Sequence, residues 1–159
     1  MKLEPTPPYV VEIFLQPGEF YWGDRDTRIR TLLGSCVAIT VWHPVKKVGG
    51  MCHYLLSKNP DEERMVMDPR YGGDAVALIM REIRKAHTEP GEYHVKMFGG
   101  ANMFPGVLGS DIGRKNIAHG REHLMKRGFE IKAAKLGGER PHYIIFDLWT
   151  GNVWVKQKK

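Results

Sequence analysis

An α/β sandwich of mainly antiparallel strands with two principal helices is the fold this sequence predicts. Three observations carry the prediction. About eight short segments rich in β-branched and aromatic residues are separated by Gly- and Pro-containing turns. Only residues 74–87 and 111–128 show helical periodicity. These two helices do not alternate regularly with the strands, which argues against a doubly wound parallel sheet. At 159 residues the chain is expected to form one domain, 1–159.

The elements follow in order. "PTPP" (5–8) sits in a start, 1–8, expected to be extended and loose. "YVVEIFL" (9–15) reads as a strand and "QPGE" (16–19) as a Pro-Gly turn. The aromatic run Phe20, Tyr21 and Trp22 reads as half-buried packing, with the lining of a binding surface as the alternative. "RIRTLL" (28–33) reads as a strand arriving at Gly34-Ser35. "CVAITVW" (36–42) is apolar almost throughout, the pattern of a strand buried on both faces. With "GMCHYLL" (50–56) it predicts a hairpin across "HPVKKVGG", followed by a long polar loop over 57–73.

In "DAVALIMREIRKAH" (74–87), Ala75, Val76, Ile79, Met80 and Ile83 fall on one helical face, with Asp74 as the expected N-cap. "EYHVKMFGG" (92–100) predicts a strand. "DIGRKNIAHGREHLMKRG" (111–128) predicts a helix ended by Gly128. "FEIKAAKLGG" (129–138) alternates like a strand, and "HYIIFDLWTGNVWVKQ" (142–157) predicts a closing hairpin.

Composition narrows the function classes. The absence of a long apolar run excludes a membrane-spanning helix, and the N-terminus lacks the apolar stretch of a secretory signal. A cytoplasmic location is expected. Two cysteines are too few for a disulfide framework, and no CxxC is present for a zinc site of that type. The net charge of +6 points to an acidic partner. No RNP-like run or zinc finger supports nucleic-acid binding, and "KQKK" (156–159) reads as a solvated tail.

Cys36, between a Gly-Ser turn and a strand, is the candidate nucleophile. Such a thiol needs access, a base to form the thiolate, and free amides to hold an oxyanion. The Gly34-Ser35 turn carries no bulky side chain and offers amides beside the sulfur. His53, late in the partner strand, comes near Cys36 if the hairpin forms. An inert buried cysteine and a structural histidine are the alternatives that the residues alone leave open.

The segments "RTLLGSCVAITVWHPVKKVGGMCHYLL", "RYGGDA", "KMFGGANMF", "DIGRKN" and "LGGERPHYIIFDLWTGNVWVK" stand in this order. The set resembles the CheD family of chemoreceptor glutamine deamidases from about Gln16 to Val155. The resemblance implies an α/β sandwich similar to that of toxin-type deamidases. It implies hydrolysis of selected glutamine amides on methyl-accepting chemotaxis receptors, with receptor methyl esters as a possible side substrate.

The family's Cys-His-Thr triad falls on Cys36, His53 and Thr31, with Thr27 as the alternative threonine. Cys36 would form a thioester, His53 would act as base and then acid, and Thr31 would orient the imidazole. Gly34 and Ser35 are expected to contact substrate through backbone amides, as are Gly99 and Gly100 at the end of "KMFGG". No metal or cofactor is implied.

Receptors are the implied partners, together with the phosphatase CheC. A regulatory module that binds CheC or receptors with little catalysis is the alternative function, and a generic cysteine amidase or peptidase a third. Neither nucleic-acid binding nor membrane insertion is expected, and a monomer is the default.

Three further features read as structural. Cys52 neighbours His53 in a strand and so faces the opposite side, into the core. His119 and His123, four apart, lie opposite the face carrying Ile117, Leu124 and Met125 and read as solvated rather than as a metal pair. "LGG" (136–138) lacks the Lys-Ser/Thr of a phosphate loop.

Overall fold

The computed structural model describes residues 5–60, 66–108 and 111–157. Its strands are β1 (Val11–Phe14), β2 (Phe20–Gly23), β3 (Thr27–Leu33), β4 (Val37–Trp42), β5 (Gly49–Tyr54), β6 (His94–Gly99), β7 (Ile131–Leu136), β8 (His142–Asp147) and β9 (Val153–Gln157). The helices are α1 (Gly72–Lys85) and α2 (Ile112–Lys126), with a short 3-10 turn at Pro90–Glu92.

Two sheets form, ordered β1-β3-β8-β9 and β2-β5-β4-β6-β7. All pairs are antiparallel except β1–β3 and β6–β7. The layers follow from the alternation of side chains. Ile29 and Leu33 of β3 and Ile144 and Phe146 of β8 pack on Ala38, Met51 and Phe98 of the larger sheet. The opposite face of that sheet, with Val37, Ile39, Val41, Cys52 and Tyr54, packs on Ala75, Val76, Ile79 and Ile83 of α1 and Leu124 of α2. The larger sheet is therefore the middle layer, and β5 is buried at all six positions because both faces are covered. Cys52 lies on the helix side, as strand alternation requires.

The predicted β4–β5 hairpin forms, with Ala38 opposite His53. Several details differ from the sequence reading. Phe20–Gly23 is a strand, half-buried along its length and paired with β5. Helix α1 starts at Gly72 after Tyr71, so Asp74 lies in its first turn rather than capping it. Gly72 fits there because a Cβ would crowd the Tyr54 ring. The Asp74 carboxylate instead accepts from the Asp68 amide and the Asn59 side chain, 3.0 and 3.3 Å away.

The inward face of α2 is Gly113, Asn116, Gly120 and Leu124, whereas Met125 is exposed. The small residues let the helix lie close: a Cβ on Gly120 would strike the Tyr54 hydroxyl, and one on Gly113 the Gly100 and Ala101 carbonyls. His119 and His123 are half-buried rather than solvated. They stack at 4.9 Å in a groove between the helices, with His123 against Gly73. Lys156 and Gln157 of the basic tail belong to β9, while Lys158 and Lys159 lie outside the described residues. Within the expected loose start, 5–8 has no regular structure and 1–4 lies outside the described residues, as does 61–65 of the long loop.

Candidate active site

Cys36 lies one residue before β4. It packs on the inter-sheet side, the side that Ala38 and His53 face. Ala38 pairs with His53, so Cys36 and His53 are diagonal neighbours, a relation that sets Cβ atoms about 7 Å apart. Cys36 is half-buried and His53 is 1% exposed. Across the sandwich, Thr31 faces the same space from β3 and is fully buried.

The hydrogen bonds around His53 determine its tautomer. The Thr31 hydroxyl lies 2.7 Å from the Leu15 carbonyl oxygen and 2.7 Å from His53 Nδ1. A carbonyl only accepts, so the single hydroxyl proton goes to Leu15. Thr31 Oγ1 then accepts, and Nδ1 carries the proton that it receives. Nε2 is left with a bare lone pair, the form needed to take a proton. Nε2 is buried and has no hydrogen-bond partner among the described residues. The Cys36 thiol therefore does not yet bond it; catalytic hydrogen bonds often close only around substrate.

Burial also sets the protonation states. It lowers the His53 pKa to about 4 and pushes the Cys36 thiol up. The resting pair at neutral pH is a neutral imidazole and a neutral thiol.

The turn before Cys36 is pinned by its carbonyls. Gly34 O accepts from the Ala101 amide at 2.9 Å, Cys36 O from Gly100 at 2.8 Å, and Ser35 O from Asn116 Nδ2 at 3.2 Å. Among the described residues the amides of 34–36 donate to no backbone carbonyl. These amides are the candidates for holding an oxyanion, and that of Cys36 lies against its own sulfur.

Gly99 and Gly100, expected at the substrate, sit behind the turn. Both have positive φ, +98° and +68°, and a Cβ on Gly99 would strike the Cys36 carbonyl oxygen. Thr27, the alternative threonine, closes a local turn toward Asp24 at 3.4 Å and is not brought to His53.

The "QPGE" turn holds the His53 main chain. Gly18 N donates to the His53 carbonyl at 2.7 Å, and His53 N donates to Glu19 O at 3.2 Å. Leu15 holds the Thr31 hydroxyl and the Gly18 and Glu19 backbone groups hold the His53 main chain, so residues 15–19 position both members of the pair. The sequence reading did not place this turn or Asn116 at the site. The presence of Asn116 inside "DIGRKN" was the available signal for the latter. No cluster of three or more His, Cys, Asp or Glu suited to a metal occurs among the described residues.

A family model described as "CheD chemotactic sensory transduction" matches residues 55–157. The chain belongs to the CheD family. That match begins two residues after His53, but full-length relatives align over nearly all of the chain. One is a probable chemoreceptor glutamine deamidase CheD 3 of Dechloromonas aromatica, 45% identical over 94% of this chain and 89% of that protein. Another is a probable chemoreceptor glutamine deamidase CheD 1 of Chromobacterium violaceum, 42% identical over 98% of this chain and 82% of that one. Among solved structures, Bacillus licheniformis hypothetical protein YfiH matches at a TM-score of 0.48 and 11% identity, over 73% of this chain and 49% of that protein. No helix among the described residues is long and apolar enough to cross a membrane.

Proposed function

We propose that this chain hydrolyses the side-chain amides of glutamines on chemoreceptors through a Cys36 thioester. The observation that carries the reading is His53, fixed by Thr31 with Nδ1 protonated and Nε2 bare, on the side of the sheet where Cys36 lies. The names of the full-length relatives support the amide and the receptor as substrate.

Nε2 takes the thiol proton as Sγ attacks the glutamine Cδ, and the carbonyl electrons move to oxygen, facing the 34–36 amides. The C–N bond breaks as the imidazolium returns the proton to nitrogen, releasing ammonia. Water then attacks the thioester, giving its proton to Nε2. Glutamate leaves as the thiol is restored.

A methyl ester fits the same sequence with methanol as the leaving group. It makes the lesser demand because an alkoxide departs more readily than an amide nitrogen. The +6 charge would steer the protein, as a cytoplasmic monomer, toward acidic receptor segments.

The test is a chemoreceptor cytoplasmic fragment carrying glutamines, incubated with the protein or with Cys36→Ala. Ammonia is followed in solution and amide-to-acid conversion by peptide mass. Conversion with the intact protein, lost in the variant, is expected. Binding to receptors or to CheC with no conversion on several receptors would replace the reading with a regulatory one.

A further inference from the structure

Asn116 sits on the inward face of α2, 1% exposed, and every polar group of its side chain is used. Nδ2 donates to Leu55 O at 2.8 Å and to Ser35 O at 3.2 Å, and Oδ1 accepts from the Ser57 hydroxyl at 3.0 Å. Its main-chain carbonyl accepts from the Tyr54 hydroxyl at 2.5 Å. One residue thus ties together the turn that precedes Cys36 and the chain two residues beyond His53.

The Ser35 bond reaches further than stability. In a trans peptide the C=O and N–H point in opposite directions. The Ser35 carbonyl and the Cys36 N–H belong to one peptide plane. Turning Ser35 O toward α2 therefore turns the Cys36 N–H away from α2, toward the inter-sheet side where the thiol lies. The orientation of this peptide is set by ψ of Ser35 and φ of Cys36, and the Asn116 bond holds its carbonyl side in place.

We propose that Asn116 is a positioning residue that aims the Cys36 amide at the oxyanion of the acyl-transfer step. The inference rests on the deamidase reading of the site. It names a residue outside the Cys-His-Thr set and assigns it to the electrostatic part of the reaction.

The test measures three quantities on the full chain. For Asn116→Ala, kcat for glutamine conversion on the receptor fragment is expected to fall about 10²-fold, the effect of losing one oxyanion donor, with KM nearly unchanged. Alkylation of Cys36 by iodoacetamide forms no oxyanion, so its rate is expected to stay within about twofold. Fluorescence and circular dichroism establish that the variant is folded.

The third quantity needs no variant. A peptide with a side-chain aldehyde in place of the glutamine amide gives a hemithioacetal with Cys36. In the intact protein this adduct is expected to move the Cys36 amide proton resonance downfield.

An unchanged kcat in folded Asn116→Ala would overturn the inference, as would kcat and alkylation falling together. An unmoved Cys36 amide in the aldehyde adduct would do so as well. Absence of conversion by the intact protein would instead count against the deamidase reading. The aldehyde adduct of Asn116→Ala then decides the role of Asn116, loss of the downfield shift being expected and an equal shift overturning it.

Discussion

Thr31 and His53 belong to different sheets, yet their side chains meet at 2.7 Å in the middle of the sandwich. The contact couples fold to chemistry. Packing of the two sheets brings the hydroxyl to Nδ1, and the Leu15 carbonyl decides which of the two atoms donates.

Replacing Thr31 tests that coupling. Thr31→Val keeps the shape but leaves Nδ1–H and the Leu15 carbonyl unpaired in the core. A loss of about 1–3 kcal/mol in urea unfolding is expected. Glutamine conversion should fall roughly 10²-fold, the lower end of what general acid–base assistance supplies. Thr31→Ser keeps the hydroxyl and should retain most activity. Equal activity in Thr31→Val and the parent would separate Thr31 from catalysis.

The burial of His53 predicts acid sensitivity. Its folded pKa, about 4, lies below the ordinary histidine value of 6.5, so the unfolded chain binds more protons between those pH values. This contribution to stability is full above pH 6.5 and is lost as pH falls toward 4. Its size is about 3 kcal/mol. Urea midpoints between pH 4 and 7 should rise with pH in the parent, with a shallower slope in His53→Gln. Parallel slopes would contradict the assignment.

The raised thiol pKa predicts how Cys36 reacts in the free protein. Burial disfavours the thiolate, and no cation stands beside the sulfur among the causes of the shift. The rate of iodoacetamide modification at Cys36 should still be climbing at pH 9. A plateau by pH 7 would mean a preformed thiolate–imidazolium pair.

Much of this site was legible in the sequence, for local reasons. The near-continuous apolar run of β4 marked a strand covered on both faces, and the turn at "HPVKKVGG" made β5 its antiparallel partner. Strand parity then separated Cys52 from His53. The meeting of Thr31 with His53 has no local signal, because it depends on how two sheets stack. The same holds for the "QPGE" turn, which reads as a connection until its amide and carbonyl are seen on the His53 backbone. β2 was hidden differently. Its aromatic run suits an edge strand as well as a packing patch, and only pairing with β5 separates the two. In α2, Met125 continued the apolar pattern, but Gly113 and Gly120 set the close-packed face instead.

Gly99 offers a test of the turn itself. Its φ of +98° and the Cys36 carbonyl in the space of a Cβ leave no room for alanine. Gly99→Ala should cost about 1–3 kcal/mol of stability through backbone strain, and more if the turn must move. Cys36 alkylation should change as well. A variant equal to the parent in both would mean that the turn is not held from behind.

The most direct measurement looks for the covalent intermediate. The protein is mixed with the glutamine-bearing receptor fragment, quenched in acid during turnover, and its intact mass and Cys36 peptide are determined. Cys36→Ala is run alongside for ammonia release. The account predicts an adduct on Cys36 equal to the fragment less ammonia, removed by hydroxylamine, and no ammonia from the variant. Steady ammonia release by Cys36→Ala would contradict it.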